Sequence, residues 1–277
     1  MSGGGAALYD AIGASYPATR RADAAIVSAL AMHLGLHADG QYLDLGCGSG
    51  NYTLALAARG GRWLAIDASA TMLGHARGRP GAEHVTWLQG DAAALPCADA
   101  CFDGVLCTLA IHHFGALGPA FTEIARVLRR GPPFVCFTSL AGQMRHYWLW
   151  HYFPRMMAAS TRQMPQRAVL EAALFAAGLT QVQIEPFAVT PALQDLFLYS
   201  GKQRPALYLD AGVRANISSF ARLCPQDELQ QGLAALRRDL DAGRFAAEAC
   251  CADGESGDYA FVVARAAGKA NAAPVIQ

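Results

Sequence analysis

The chain has 277 residues, 53% of them hydrophobic, and its 22 basic and 22 acidic residues give a formal net charge of zero. A chain with this charge balance lacks the excess of basic residues that is typical of a general nucleic-acid binder. No run of about 18 uncharged apolar residues predicts a membrane span, and the N-terminal sequence lacks the pattern of a signal peptide. We expect a cytoplasmic protein, built as one domain with elaborations, that has neither nucleic acid nor a membrane as a partner.

The eight cysteines suit a reducing compartment. Cys47 lies in a glycine-rich turn, and Cys107 and Cys136 lie in predicted buried strands, where a disulfide framework is not expected. Cys97 and Cys101 form no C-x-x-C pair and belong to no zinc-type repeat. We therefore predict no metal site.

The first predicted strand and the glycine-rich turn that follows it lie within residues 42–50, which have the sequence Tyr-Leu-Asp-Leu-Gly-Cys-Gly-Ser-Gly. The apolar residues before the turn predict a short buried strand, and residues 51–59 predict the helix that follows. The glycines follow G-x-G-x-G, whereas the dinucleotide fingerprint is G-x-G-x-x-G and position 51 is Asn. The turn therefore favours a nucleoside ligand over a pyrophosphate.

Strand-like and helix-like segments alternate through the rest of the chain. The predicted strands after the first are residues 63–66, 85–88, 102–110, 134–138, 182–189 and 259–264, and the later helices are residues 121–130 and 167–177. This alternation predicts an α/β fold with a doubly wound, mostly parallel sheet.

Acidic residues follow two of these strands. Asp67 ends the second strand about twenty residues after the glycine-rich turn, where an acid can accept hydrogen bonds from both ribose hydroxyls. Asp91 follows the third strand within the sequence Gly-Asp-Ala. Either acid taken alone is also explained as a helix cap or a turn residue.

Taken together, the turn, the two acids and the fourth strand resemble the class I S-adenosylmethionine-dependent methyltransferases over residues 41–139. The resemblance is to the type 11 small-molecule group, which includes the ubiquinone and menaquinone methyltransferases, and it implies S-adenosylmethionine as cofactor. It implies that Asp44 orients the methionine amino group, that Asp67 binds the ribose and that Asp91 binds the adenine amine. The implied cofactor-binding residues are Asp44, Gly46, Cys47, Gly48, Gly50, Asp67, Ala68, Asp91, Ala92 and Thr108.

The resemblance also helps to predict how the chain is divided into segments. It implies a Rossmann-like seven-stranded sheet whose last strand is antiparallel. The family joins its last two strands in a hairpin, whereas the segment between Val189 and Tyr259 is too long for an ordinary loop, and its apolar residues predict several short helices that form a cap. We expect N-terminal lid helices at residues 1–40, the cofactor-binding core at 41–189, the helical cap at 190–258, the final strand at 259–266 and a disordered tail at 267–277.

Substrate contacts are expected from two segments outside the shared motifs. Residues 140–165 carry a burst of aromatic residues after the fifth strand, and we interpret Trp148 and Tyr152 as part of a substrate wall. The alternative is that these aromatics dock the segment onto the core or form a dimer contact. Tyr9 and Tyr16 lie in a segment similar to the family's cofactor-covering helix and are expected to face the methyl group, with ordinary packing as the alternative.

Transfer of a methyl group from S-adenosylmethionine requires mainly in-line positioning of the acceptor and exclusion of water. If the acceptor loses a proton, a histidine is the natural base. His112, which follows the fourth strand, is the first candidate and His113 the second. Packing or anchoring of the loop is the alternative role for this pair.

The resemblance implies transfer of a methyl group from S-adenosylmethionine to a small-molecule metabolite in an enclosed pocket, by a monomer or a homodimer. The sequence after the fourth strand, Thr-Leu-Ala-Ile at residues 108–111, lacks the Asn/Asp-Pro-Pro-aromatic motif of adenine amino-methyltransferases. An alternative is a protein that binds the cofactor without turnover and acts as a partner or regulator.

Overall fold

The computed structural model describes residues 20–245 and 257–266. Its strands form one seven-stranded sheet in the order β3-β2-β1-β4-β5-β7-β6. The strands are β1 Gln41–Leu45, β2 Arg62–Asp67, β3 Val85–Gln89, β4 Gly104–Thr108, β5 Pro133–Thr138, β6 Leu179–Phe187 and β7 Tyr259–Ala266. The first five strands pair in parallel, and β7 is antiparallel to both β5 and β6. The predicted fold class is confirmed.

Helices connect the strands and build the region between β6 and β7. The α-helices are α1 Ala24–Leu34, α2 Asn51–Ala57, α3 Ala70–Arg77, α4 Leu117–Val127, α5 Ala141–Met144, α6 Leu149–Tyr152, α7 Pro154–Gln163, α8 Arg167–Ala176, α9 Ala211–Ala215 and α10 Gln226–Asp241. Short 3₁₀ turns occupy Ala82–His84, Ile111–His113 and Pro205–Leu209, and a π-helix occupies Ser219–Leu223. Helix α4 ends earlier than the predicted residue 130, because Leu128 is extended and bridges to Phe102.

The sheet separates two hydrophobic clusters. Leu106 and Val135 lie in one cluster, whereas their strand neighbours Val105 and Phe134 lie in the other. Successive side chains of a strand point to opposite faces, so β4 and β5 contribute to both clusters. Parallel sheets are stable when both faces are covered. The carboxyl edge of the sheet is therefore where a ligand site can open.

The aromatic segment after β5 packs against the region between β6 and β7. Tyr147 stacks on Tyr199 with ring centroids 3.7 Å apart. Trp148 meets Tyr208 edge-on at 5.4 Å. Such aromatic pairs add stabilisation beyond the area that they bury. These contacts hold the two segments together over one face of the sheet.

A buried carboxylate joins α10 to α7. Glu228, only 5% exposed, accepts hydrogen bonds from the backbone N–H groups of Arg155 at 2.6 Å and Met156 at 2.9 Å. These amides belong to the first turn of α7, where N–H groups have no partner within the helix. Glu228 therefore caps a helix from a position 72 residues away in the chain.

We expect the substitution Glu228→Ala to lower the free energy of unfolding by about 1–2 kcal/mol, because two buried N–H groups lose their acceptor. Urea denaturation measures this change. Asp227→Ala is the matched control, since the neighbouring Asp227 is 62% exposed and its partners are the Arg155 guanidinium and backbone N–H groups at the start of its own helix. Equal losses in the two variants would contradict the capping role.

Candidate active site

A cavity of about 1020 Å³ lies at the carboxyl ends of the parallel strands. Five consecutive strands each deliver a polar side chain to its lining, namely Asp44 from β1, Asp67 from β2, Asp91 after β3, Thr108 from β4 and Thr138 from β5. Cavities that hold one drug-sized ligand span about 300–1,000 Å³. This cavity therefore lies at the upper end of that range and is large enough for a cofactor-sized ligand.

The glycine-rich turn after β1 has the left-handed backbone that its sequence predicts. Gly46, Gly48 and Gly50 have φ angles of 73°, 54° and 73°, which L side chains rarely adopt. A Cβ on Gly46 would lie 2.6 Å from the Ala110 side chain, and one on Gly50 would lie 2.4 Å from Trp87. Gly50 does not line the cavity, so protein packing rather than ligand approach explains that glycine.

The turn is held against the end of β2. The N–H of Gly46 donates to the carbonyl of Ile66 at 2.8 Å, and the N–H of Gly48 donates to Oδ2 of Asp67 at 2.8 Å. Oδ1 of Asp67 accepts the N–H of Ser69 at 2.8 Å. Burial raises the pKa of Asp67 above its ordinary value, although these N–H groups oppose the shift. Asp67 thus orders the turn and also faces the cavity.

Arg79 supports the same turn from behind. Its Nη1 donates to the carbonyl of Ser49 at 3.0 Å and to Oδ1 of Asn51. Burial lowers the pKa of this guanidinium. Since both Ser49 and Asn51 line the cavity, Arg79 positions the part of the turn that a ligand would touch.

Asp44 lines the cavity and carries a buried acceptor atom that has no partner among the described residues. The side chain is 2% exposed, and its Oδ2 accepts the hydroxyl of Thr53 at 2.6 Å. Oδ1 is buried and has no hydrogen-bond partner among the described residues. Burial raises the pKa of Asp44 to about 7, with Asp67 adding to the rise and Thr53 opposing it. Leaving a buried acceptor without a donor is costly, so Oδ1 is suited to a ligand donor.

Two neutral histidines follow β4. The rings of His112 and His113 lie 3.9 Å apart, and both residues line the cavity. Burial and the neighbouring His113 hold the pKa of His112 well below its ordinary value, while burial and Arg222 lower the pKa of His113 to about 4. Nδ1 of His112 and Oγ1 of Thr108 are buried without a partner in the described part of the chain. Unpaired polar atoms thus gather at this strand end.

Metal-ligand clusters and membrane-spanning helices are both absent from residues 20–245 and 257–266. These residues contain no group of three or more His, Cys, Asp or Glu side chains placed to hold a metal ion. They also contain no helix that is both long and apolar enough to span a membrane.

A family model described as a methyltransferase domain matches residues 43–136. The solved structure of a putative methyltransferase from an antibiotic biosynthesis pathway of Anabaena variabilis is 34% identical in sequence. It superposes with a TM-score of 0.79 over 89% of this chain and 98% of that chain. The chain belongs to the class I S-adenosylmethionine-dependent methyltransferases.

Curated relatives match shorter parts of the methyltransferase. A malonyl-[acyl-carrier protein] O-methyltransferase of Pectobacterium atrosepticum is 36% identical over 105 residues, which are 38% of this chain and 40% of the relative. A ubiquinone/menaquinone biosynthesis C-methyltransferase of Rubrivivax gelatinosus is 32% identical over 165 residues, which are 52% of this chain and 64% of the relative. The chain thus spans less than two thirds of either relative. Because one relative is named for oxygen and the other for carbon, the likeness leaves the acceptor atom open.

The structure of the methyltransferase brings most of the predicted site residues together. The cavity lining includes Asp44, Gly46, Cys47, Gly48, Asp67, Ala68, Asp91, Ala92 and Thr108, together with His112 and His113. Among the predicted cofactor residues, Gly50 alone lies outside this lining. Tyr9 and Tyr16 lie outside the described residues.

Trp148 and Tyr152 are placed differently from the prediction. Neither residue lines the cavity. Trp148 is 2% exposed, and its Nε1 donates to the carbonyl of Lys202 at 2.9 Å. The Tyr152 hydroxyl donates to Oδ2 of Asp239 at 3.0 Å. Both aromatics pack the segments around the cavity instead of forming its wall, which corresponds to the alternative role in docking.

Several residues that line the cavity were not among the predicted site residues. Tyr52 follows the glycine-rich turn directly, so its position in the sequence was a usable signal. Phe197 and the segment at residues 217–219 come from the region before β7. No motif marks that region, and only the folded chain shows that it reaches the cavity.

Replacing Arg79 with Met removes the donors behind the glycine-rich turn but keeps an apolar stem of similar length. We expect the methyltransferase variant to bind S-adenosylhomocysteine less tightly by about 1–3 kcal/mol, because Ser49 and Asn51 lose a charged partner. Isothermal titration calorimetry measures this change. Arg77→Met is the control, since Arg77 is exposed and donates only to the Trp87 carbonyl. An affinity unchanged by Arg79→Met would contradict the positioning role.

Proposed function

We propose that this methyltransferase binds S-adenosylmethionine and transfers its methyl group to a small molecule by in-line displacement within the cavity. The observation that carries the proposal is the row of acidic side chains, Asp44, Asp67 and Asp91, along adjacent strand ends of one large cavity. The zero net charge supports a small-molecule acceptor over nucleic acid. We further propose that the protein is cytoplasmic.

The free acceptor atoms of these acids fit the cofactor. Oδ1 of Asp44 has no partner within residues 20–245 and 257–266 and would accept a hydrogen bond from the methionine ammonium. Each oxygen of Asp67 accepts one backbone N–H and keeps a second lone pair, which would receive a ribose hydroxyl. Asp91 uses Oδ1 for the N–H of Ala93, which leaves its other oxygen for the adenine amine.

The cofactor, when bound, supplies a methyl group on a positively charged sulfur, which makes the methyl carbon electrophilic. The protein then has to align the acceptor with that carbon and keep water out. As the bond from the acceptor to the methyl carbon forms, the carbon–sulfur bond breaks. An acceptor that carries a proton must release it.

His112 is the proposed acceptor of that proton. Its low pKa keeps the imidazole neutral near pH 7 and therefore able to accept a proton, and the residue lines the cavity. A base works best when its pKa lies near the working pH, but a weaker base suffices for an acceptor that becomes strongly acidic as its bond to the methyl carbon forms. His113, whose pKa is about 4, is the second candidate.

Calorimetric titration tests the cofactor assignment directly. We expect the protein to bind S-adenosylmethionine and S-adenosylhomocysteine and to show no binding of NADH. Asp67→Ala should weaken both adenosyl ligands by about 1.5–3 kcal/mol for each charge-assisted hydrogen bond lost. Asp99→Ala is the control, since Asp99 is 78% exposed and pairs with Arg126. Absence of binding by the wild-type protein would overturn the proposal, and binding without methyl transfer to any acceptor would favour a regulatory role.

The raised pKa of Asp44 predicts pH-dependent cofactor binding. A carboxyl group with a pKa of about 7 is mostly protonated at pH 6 and mostly ionised at pH 7.5. Since the ionised form pairs with the methionine ammonium, affinity for S-adenosylhomocysteine should rise with pH across this interval, by up to about eightfold. Asp44→Asn should remove the dependence. Parallel pH profiles of wild type and variant would contradict the role of Asp44.

A further inference from the structure

Part of the cavity lining comes from elements after β5 and carries no cofactor motif. Its residues include Met144, Met164, Phe197, Ile217, Ser218 and Ser219, which we name the acceptor wall. Four of these side chains are apolar and two carry hydroxyl groups. Ser139, Gln163, Leu198 and Tyr259 complete the described lining after β5. This side of the cavity therefore combines apolar side chains with polar groups that carry no charge at neutral pH, including two hydroxyls at residues 218–219.

The carboxylates and the guanidinium of the described cavity lining lie outside the acceptor wall. The carboxylates are Asp44, Asp67 and Asp91, all on strand ends assigned to the cofactor. None of the six residues of the acceptor wall is ionisable. A cationic acceptor would find no carboxylate on this wall, and the sulfonium of the cofactor would repel it.

The described lining also lacks an available cationic side chain that could bind an anionic acceptor. Arg20 is the one Lys or Arg side chain in the described lining, and it is already bound to another group. Its Nε and Nη2 donate to the two carboxylate oxygens of Asp195 at 2.5 and 3.2 Å. Asp195 is fully buried and also accepts the Tyr52 hydroxyl at 3.0 Å. Recruiting Arg20 to a substrate anion would leave the buried Asp195 charge without its cation, which is costly.

We propose that the acceptor is an uncharged molecule with apolar surface, whose hydroxyl or carbonyl group binds near Ser218 and Ser219. This inference deepens the proposed function and rests on it. An unpaired charge is expensive to bury, and the six residues of the acceptor wall include no counter-ion. Arg222, whose charge lowers the pKa of His113, is exposed to solvent and lies outside the described lining. Ser219 begins the π-helix Ser219–Leu223, a rare conformation that often occurs at functional sites. Met144 and Met164 adapt readily to the shape of an apolar ligand.

Three matched probes test this inference: 2-naphthol, the anion 6-hydroxy-2-naphthoate and the cation 6-(aminomethyl)-2-naphthol. Binding of each is measured by calorimetry on protein saturated with S-adenosylhomocysteine. We expect 2-naphthol to bind at least about tenfold more tightly than either charged probe. Equal or tighter binding of a charged probe, or no binding of 2-naphthol to the saturated protein, would overturn the inference. Failure of S-adenosylhomocysteine to bind at all would instead overturn the proposed function.

A charge placed on the wall tests its location. Met164→Lys should weaken 2-naphthol and strengthen 6-hydroxy-2-naphthoate, because the new ammonium supplies the missing counter-ion. Met32→Lys is the control, since Met32 is 65% exposed and does not line the cavity. Binding of S-adenosylhomocysteine by both variants shows that each is folded. If Met164→Lys leaves the order of affinities unchanged, the acceptor wall is wrongly assigned.

Discussion

The contact between the glycine-rich turn and the end of β2 is the constraint on which the site depends. Backbone donors of the turn meet the carbonyl of Ile66 and the carboxylate of Asp67, while β1 and β2 run in parallel register with Leu45 opposite Ile66. The turn therefore cannot move independently of the second strand. This arrangement holds Asp44 and Asp67 at one edge of the sheet, where both residues line the cavity.

The region between β6 and β7 completes the cavity. Packing and a few buried polar contacts hold this region in place. Stacked Tyr147 and Tyr199 join it to the aromatic segment after β5, and Glu228 joins α10 to the first turn of α7. Asp195 reaches Arg20 and Tyr52, so the same region also contacts the segment before α1 and the helix after the glycine-rich turn. The acceptor wall depends on these contacts for its position.

Local patterns predicted the fold and much of the candidate site, because parallel strands bring their carboxyl ends to one edge. Residues as far apart in sequence as Asp44 and Thr108 could thus be assigned to one cavity. The patterns failed for Trp148 and Tyr152, since aromatic composition does not distinguish a pocket wall from a packed core. They also missed Arg79. Its contacts with Ser49 and Asn51 join residues about 30 positions apart in the sequence, and such contacts produce no periodic pattern of residues.

The sequence by itself determined the alternation of strands and helices, the left-handed turn at its glycines and the acids at the strand ends, because each follows from short-range backbone and side-chain preferences. Only the tertiary structure decided which side chains line the cavity and which are packed away from it. It also decided that Arg20 is neutralised by Asp195 and that the histidines after β4 remain neutral. These properties depend on burial and on partners distant in the chain, and both arise only when the chain is folded.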